Sequence, residues 1–193
     1  LIMSSNKIST IFNESVDVIS KSKNLEKSIQ HIIDKIISCF ENGNKVVVFG
    51  NGGSAADSQH FAAEFIGRFL KERNSLPAIS LTTDTSILTA LGNDYSFETI
   101  FSRQCESIVQ KDDIVFGIST SGNSLNVING FNTAKNCGGF TIGLLGSNGG
   151  ELDKISDLSI IIPSKSTPRI QESQRIILHI ICELVEDYFT HKK

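Results

Sequence analysis

The sequence has few cysteines, and no two of them are close enough to suggest a metal-binding or redox motif. No C-x-x-C pair occurs in the 193 residues, and the cysteines stand at Cys39, Cys105, Cys137 and Cys182. Zinc fingers and thioredoxin-like sites need closely spaced pairs, so the sequence argues against both classes. We therefore expect four reduced thiols that are mostly buried, as unpaired cysteines usually are.

Excess charge of one sign and long apolar runs are also missing. Lys and Arg total 18 against 21 Asp and Glu, which gives a net charge of −3. This balance provides no general attraction for nucleic acid or anionic lipid, so neither is an expected partner. No stretch approaches the length of a membrane-spanning helix. The segment LIMSSNKIST lacks a basic stretch followed by an apolar core, so no secretory signal is predicted and a cytoplasmic location is expected.

The apolar pattern predicts an α/β fold. Helical periodicity covers about the first 43 residues and ends at Glu41–Asn44, and short continuous apolar runs then alternate with helix-like stretches. The runs, typical of strands buried on both faces, are 46–49, 78–81, 114–118, 140–145 and 158–162. The later helices are predicted at 54–71, 84–110 in pieces, 124–137, 149–155 and 169–190. We predict a single domain over 1–193 with a doubly wound, five-stranded parallel sheet flanked by helices. We expect 1–43 to be an N-terminal helical extension that packs between subunits, although packing on its own sheet is the simpler alternative.

Two loops at the carboxyl ends of predicted strands are rich in small polar residues. The first, Gly50-Asn51-Gly52-Gly53-Ser54, matches neither the nucleoside-triphosphate loop nor the dinucleotide fingerprint, and Ser54 is a good helix N-cap. The second contains Ser119, Thr120, Ser121 and Ser124 before a predicted helix. Hydroxyls and free N–H groups at a helix N-terminus suit a phosphate group, and a plain capping loop needs only one or two hydroxyls. We therefore predict that the second loop binds the phosphate of a sugar-phosphate monoester.

Polar residues recur on one side of two predicted helices. His60 and Glu64 are four residues apart, and Gln171, Arg175 and His179 also advance by fours. Each set alone is more often a polar helix surface than a metal or acid–base site. Their combination with the two ligand loops favours the functional interpretation.

The chain resembles the phosphoheptose isomerases, also called sedoheptulose 7-phosphate isomerases, a family of sugar isomerase (SIS) domain proteins. The resemblance covers about residue 30 to the C-terminus and is looser before that. The segments that carry it are GNGGSAADSQHFAAEF at 50–65, LTTDTSILTALGNDYSFETIFSRQ at 81–104, ISTSGNS at 118–124, and RIQE at 169–172 with His179. The serine-rich loop is common to SIS domains, whereas His60, Glu64, Gln171 and His179 together are far more specific to the isomerases.

The resemblance implies an activity and a site. It implies interconversion of sedoheptulose 7-phosphate and D-glycero-D-manno-heptose 7-phosphate, for lipopolysaccharide or capsule heptose, by a homotetramer with active sites between subunits. Glu64 would be the base and His179 the acid. One zinc per subunit would be held by His60, Glu64, Gln171 and His179. Expected substrate contacts are Asn51, Gly52, Gly53, Ser54, Glu64, Asn93, Asp94, Ser119, Thr120, Ser121, Ser124 and Gln171.

Two positions depart from the family pattern. Pro168 replaces an acidic or small residue, and Gln174 replaces a histidine found in many relatives.

The main alternative to an isomerase is a non-catalytic SIS scaffold resembling the DnaA initiator-associating protein, which lacks the residues that match Glu64 and His179. A sugar-phosphate-sensing regulator would carry a basic DNA-binding piece, which the N-terminal helices here do not show.

Overall fold

A computed structural model describes residues 5–191 and has the predicted α/β architecture. Five parallel strands form one sheet in the order β2-β1-β3-β4-β5. The strands are β1 Val46–Gly50, β2 Ala78–Ser80, β3 Ile114–Ser119, β4 Phe140–Leu145 and β5 Leu158–Ile161. The central strands β1 and β3 are buried along their whole length, which explains their unbroken apolar runs.

Eight α-helices surround the sheet in the described part of the chain. They are α1 Ser5–Ser22, α2 Glu26–Glu41, α3 Gly53–Ile66, α4 Thr85–Asp94, α5 Ser102–Ile108, α6 Leu125–Asn136, α7 Gly150–Ile155 and α8 Thr167–His191. Short 3-10 helices cover Lys23–Leu25 and Phe97–Thr99. The helix predicted over 54–71 ends earlier, at Ile66, because the backbone leaves helical geometry at Gly67 (ψ −115°).

The helices bury two separate apolar clusters, one on each side of the sheet. Buried residues of α2, α3 and α8 form one cluster, and those of α5, α6 and α7 form the other. Phe61 and Phe116 make a ring contact in the first, and Phe49 and Phe101 stack in the second. Burial on both faces makes the sheet a rigid platform for the loops at its edge.

The two N-terminal helices differ in burial. Helix α2 buries six residues, among them Ile32 and Ile36, in the core of its own chain. Helix α1 leaves Ile8, Phe12 and Val16 at least 60% exposed. The simpler alternative of packing on the chain's own sheet therefore holds for α2, and packing of α1 in an oligomer stays a prediction.

The cysteine prediction is confirmed. Cys39, Cys105 and Cys182 are buried, Cys137 is partly buried, and all four are free. Burial raises the pKa of Cys39 to about 11 and that of Cys105 to about 12, so both stay protonated at neutral pH.

Between residues 5 and 191, no helix combines the length and the apolar character that a bilayer crossing needs.

Candidate active site

The strand order puts the two polar loops, 50–54 and 119–124, side by side. The chain leaves β1 towards β2 on one side, and leaves β3 towards β4 on the other. In open parallel sheets, ligands bind outside the carboxyl ends of the two strands at such a reversal. The glycine-rich loop follows β1 and the serine-rich loop follows β3, so both lie at the mouth of one crevice.

The glycine-rich loop passes close to its neighbours. Gly52 occupies the N-cap position of α3 with φ +55°, and Ser54 lies within the first turn. The prediction that Ser54 is the N-cap is therefore wrong, because the tight turn needs a left-handed residue at position 52. A Cβ on Gly53 would lie 2.6 Å from Nε2 of Gln171, so the missing side chain leaves room for that amide.

A pair of asparagines connects the two loops. The amides of Asn51 and Asn126 donate to each other's oxygens, both at 2.8 Å. Asn126 is buried in the first turn of α6. Sequence reasoning selected Asn51 but missed Asn126, because one polar residue in a helical pattern gives no signal of its partner. The pair keeps the glycine-rich loop in register with the serine-rich loop.

The serine-rich loop is organised by its own hydroxyls. Ser119 Oγ accepts the N–H of Gly122 at 3.1 Å, and Ser121 Oγ accepts that of Asn123 at 3.2 Å. Ser124 stands at the N-cap of α6 without a side-chain capping bond. Thr120, which lies between Ser119 and Ser121, is partly buried. The loop therefore leads directly into a helix N-terminus, which is the arrangement expected for binding an anion.

Glu64 and His179 converge on His60 from two helices. Nε2 of His60 lies 3.1 Å from Oε1 of Glu64 and 3.2 Å from Nε2 of His179. The Glu64 side chain is 18% exposed, and His179 is partly buried with the Phe69 ring 5.5 Å from its own. A carboxylate and two imidazoles thus share one partly solvent-accessible cluster, which can accept and donate protons.

These contacts belong to a matched series between α3 and α8. Both helices begin at the carboxyl edge of the sheet and run in the same direction. Gln171 lies over Gly53, Arg175 donates to Asp57, and His179 meets His60. The polar stripe of α8 therefore faces a polar stripe of α3, and the helix periodicity alone did not identify Asp57 as a member.

Asn93 and Asp94 lie apart from this cluster. They are exposed at the C-terminal end of α4, where the Asn93 amide donates to Asp94 at 2.8 Å. Leu88 and Leu91 of the same helix pack on the opposite side of the sheet from α3 and α8. Among residues 5–191, no recorded contact joins them to Glu64 or His179, so their role as substrate contacts stays a prediction.

The two departures from the family pattern have simple local settings. Pro168 is the second residue of α8, within its first turn, where the missing N–H has no helical partner to lose. Gln174 is fully buried, and its amide donates to the Leu144 carbonyl at 2.9 Å. Neither residue contacts Glu64 or His179 in a recorded interaction within the described chain.

The donor chemistry of the cluster suits zinc. Two imidazoles, a carboxylate and the Gln171 amide oxygen are groups that zinc accepts. Within residues 5–191, however, no three His, Cys, Asp or Glu side chains are disposed to hold an ion. In this cluster, His60 contacts both Glu64 and His179 directly.

Comparison with known proteins identifies the family. The SIS domain family model matches residues 11–146. Phosphoheptose isomerase of Aquifex aeolicus (strain VF5) is 53% identical over 184 residues, covering 94% of this chain and 95% of that protein. A phosphoheptose isomerase structure from Neisseria gonorrhoeae superimposes with a TM-score of 0.90 and 36% identity, covering 94% and 98% of the two chains. A second, from Francisella tularensis, has a TM-score of 0.92 and 35% identity, covering 96% and 100%.

Fold, loops and sequence agree. The parallel sheet carries both ligand loops at its reversal point, and two helices beside them bring Glu64 and His179 to one cluster. The similarity to the isomerases extends over nearly the whole chain. The chain belongs to the phosphoheptose isomerase family of SIS-domain proteins.

Proposed function

We propose that the chain interconverts sedoheptulose 7-phosphate and D-glycero-D-manno-heptose 7-phosphate by proton transfer through an enediol. Family membership supports the activity, and one observation supports the chemistry. Glu64 and His179, which are 115 residues apart in sequence, contact the same imidazole beside the ligand loops. A carboxylate and an imidazole at one end of an anion-binding crevice are what an aldose–ketose isomerase needs.

The proposed reaction assigns one task to each group. The serine-rich loop binds the phosphate through its hydroxyls and the α6 N-terminus. Glu64 removes a proton from C1, the C–H electron pair forms the C1–C2 double bond, and His179 gives a proton to the C2 carbonyl oxygen. Glu64 then returns its proton to C2, while the hydroxyl at C1 gives its proton back to His179. Atoms and charge balance over the cycle, and both groups end in their starting states.

We also propose that zinc binds at His60, Glu64, Gln171 and His179, one ion per subunit. Support comes from the donor chemistry, since two imidazoles, a carboxylate and an amide oxygen form an acceptable, somewhat weak set. When bound, zinc supplies Lewis-acid stabilisation of negative charge on oxygen. Glu64 appears in both assignments, and a metal-bound carboxylate is a poorer base. The ion would then be partly structural, or displaced during turnover.

The wider setting is proposed on the same basis. We propose a homotetramer with active sites between subunits, supported by the exposed apolar residues Ile8, Phe12 and Val16 of α1, which a partner would bury. Light scattering tests the assembly, and a monomer at assay concentration would contradict it.

We propose a cytoplasmic location, because four free cysteines suit a reducing compartment. The product of the reaction would enter heptose synthesis for lipopolysaccharide or capsule.

A coupled assay with sedoheptulose 7-phosphate tests the activity, and a chelator tests the metal. We expect turnover to aldose, about one zinc per chain in protein purified without chelator, and loss of zinc in His60→Ala. The matched control is His31→Ala, which changes an exposed histidine of α2 and should retain zinc. No turnover would overturn the isomerase assignment, and full turnover of zinc-free protein would make the metal accessory.

Removing two hydroxyls of the serine-rich loop should weaken substrate binding. The Ser119→Ala/Ser121→Ala variant should raise KM at least about ten-fold, because each hydrogen bond to a charged group contributes roughly 1.5–3 kcal/mol. The value of kcat should change less, since Glu64 and His179 are untouched. Steady-state kinetics measure both constants, with the exposed Ser75→Ala as control. An unchanged KM would argue against this loop as the phosphate site.

A further inference from the structure

A buried ion pair lies about two helical turns beyond His179 along α8. Nε of Arg73 is 3.3 Å from Oε1 of Glu186, and the two side chains are only 3% and 2% exposed. Neither residue was selected from the sequence, where Arg73 sits in a polar segment and Glu186 in the charged C-terminal part of α8. Burying two charges is costly unless both are paired and hydrogen-bonded, so each must be held by several partners.

Arg73 binds the end of the helix that carries Glu64. Its Nη2 donates to the backbone carbonyl of Glu64 at 2.6 Å, and its Nη1 donates to that of Phe65 at 2.7 Å. Carbonyls in the last turn of a helix lack helical donors and carry the negative end of the helix dipole. The guanidinium therefore caps α3 at the residue proposed as the base.

Glu186 binds the segment that leads away from α3. Its carboxylate accepts the backbone N–H groups of Phe69, Leu70 and Lys71 at 2.6–2.8 Å. Burial opposes ionisation of this carboxyl, but the three N–H donors and Arg73 outweigh it and lower the pKa of Glu186. The carboxylate thus stays charged and fixes Phe69, whose ring lies 5.5 Å from that of His179.

We propose that Arg73 and Glu186 are positioning residues that set the location of Glu64 relative to His179 for proton transfer. One end of the pair holds the Glu64 backbone, and the other projects from α8, the helix that carries His179 seven residues earlier. Displacement of about 1 Å between reacting groups can reduce the rate about 100-fold. The inference rests on the proposed isomerase function, because it concerns the distance over which that reaction moves a proton.

Glu186→Gln tests the proposal with little change in shape. We expect kcat to fall about 10- to 100-fold while KM stays within about 3-fold, because the phosphate loop is untouched. With sedoheptulose 7-phosphate deuterated at C1, the primary isotope effect on kcat should increase, since slowed proton removal becomes more rate-limiting. Partial unfolding would lower kcat without changing the isotope effect or KM.

A neighbouring ion pair provides the matched control. Lys71 and Asp187 join the same segment to α8 at 2.7 Å, but their side chains are 46% and 39% exposed. Asp187→Asn should therefore keep the kcat and isotope effect of the unmodified chain. If Glu186→Gln folds poorly, Arg73→Met/Glu186→Gln leaves no unpaired buried charge. The unfolding midpoint of this double variant should lie closer to that of the unmodified chain than the midpoint of Glu186→Gln does, while its kcat should still be low.

The outcomes separate this proposal from the proposed function. An inactive unmodified chain overturns the isomerase assignment. An active unmodified chain together with a Glu186→Gln or double variant of equal kcat and isotope effect overturns the positioning role alone. A fall in kcat with an unchanged isotope effect, or an equal fall in Asp187→Asn, also overturns it.

Discussion

Glu64→Gln is expected to lower kcat by about 10²- to 10⁴-fold while leaving sugar-phosphate binding nearly intact. Glutamine keeps the size of the side chain and an oxygen that can face His60, but it cannot take a proton from carbon. The loop proposed to bind phosphate lies between β3 and α6 and does not include Glu64, so the change should leave it intact. Steady-state kinetics and calorimetric titration with sedoheptulose 7-phosphate measure the two effects separately.

The control for this variant is Glu72→Gln, which removes a nearby carboxylate that is 87% exposed and paired with Arg68. It should behave as the unmodified chain. Because Glu64 is also a proposed zinc ligand, metal content is measured in the same samples. Lost turnover with retained zinc identifies proton transfer as the missing step. Full activity of Glu64→Gln would refute its role as the base.

Gly122→Ala is expected to disrupt the serine-rich loop, which is proposed to bind phosphate, and to lower the free energy of unfolding by about 3 kcal/mol. Gly122 has φ +67°, and an added Cβ would lie 1.9 Å from the backbone oxygen of Gly149. A backbone atom cannot rotate away as a side chain can, and the Leu152 N–H also bonds to the Gly122 carbonyl at 2.9 Å. The loop must therefore move away from α7, which should raise KM. Urea denaturation and steady-state kinetics give the two values.

The matched control is Gly92→Ala on helix α4. An added Cβ there meets nothing within 4 Å, so the substitution introduces no clash. Alanine in place of glycine within a helix should stabilise the protein by roughly 0.5–1 kcal/mol. The two substitutions are thus expected to have opposite signs. Equal stability of both variants would contradict the close packing of the serine-rich loop against α7.

The fold was predictable because its signals are local. Each buried strand, such as β3, is a short apolar run, and each is followed by small or polar residues where the strand ends. Helix boundaries were less accurate. The stretch that continues α3 to residue 71 has helical composition, but it forms bends rather than a helix. Glu186, more than 100 residues away in sequence, binds the N–H groups of this stretch and pairs with Arg73.

The site was predictable only where a motif or the family resemblance named its members. His60, Glu64 and His179 were selected in this way, and the structure places both Glu64 and His179 in contact with His60. Asn126 and Asp57 were missed because their partners, Asn51 and Arg175, lie far away in the chain. A buried polar residue gives no sign in the sequence of the group that satisfies it.

The amino-acid sequence by itself determined the succession of strands and helices along the chain, the positions of the two polar loops and the family of this protein. These follow from hydrophobic periodicity and short motifs, which depend on neighbours within about one turn or strand. Only the tertiary structure decided which side chains meet between α3 and α8, because helix packing brings together groups more than 100 residues apart. It also left α1 with an exposed apolar face, while α2, which is amphipathic as well, joined the core.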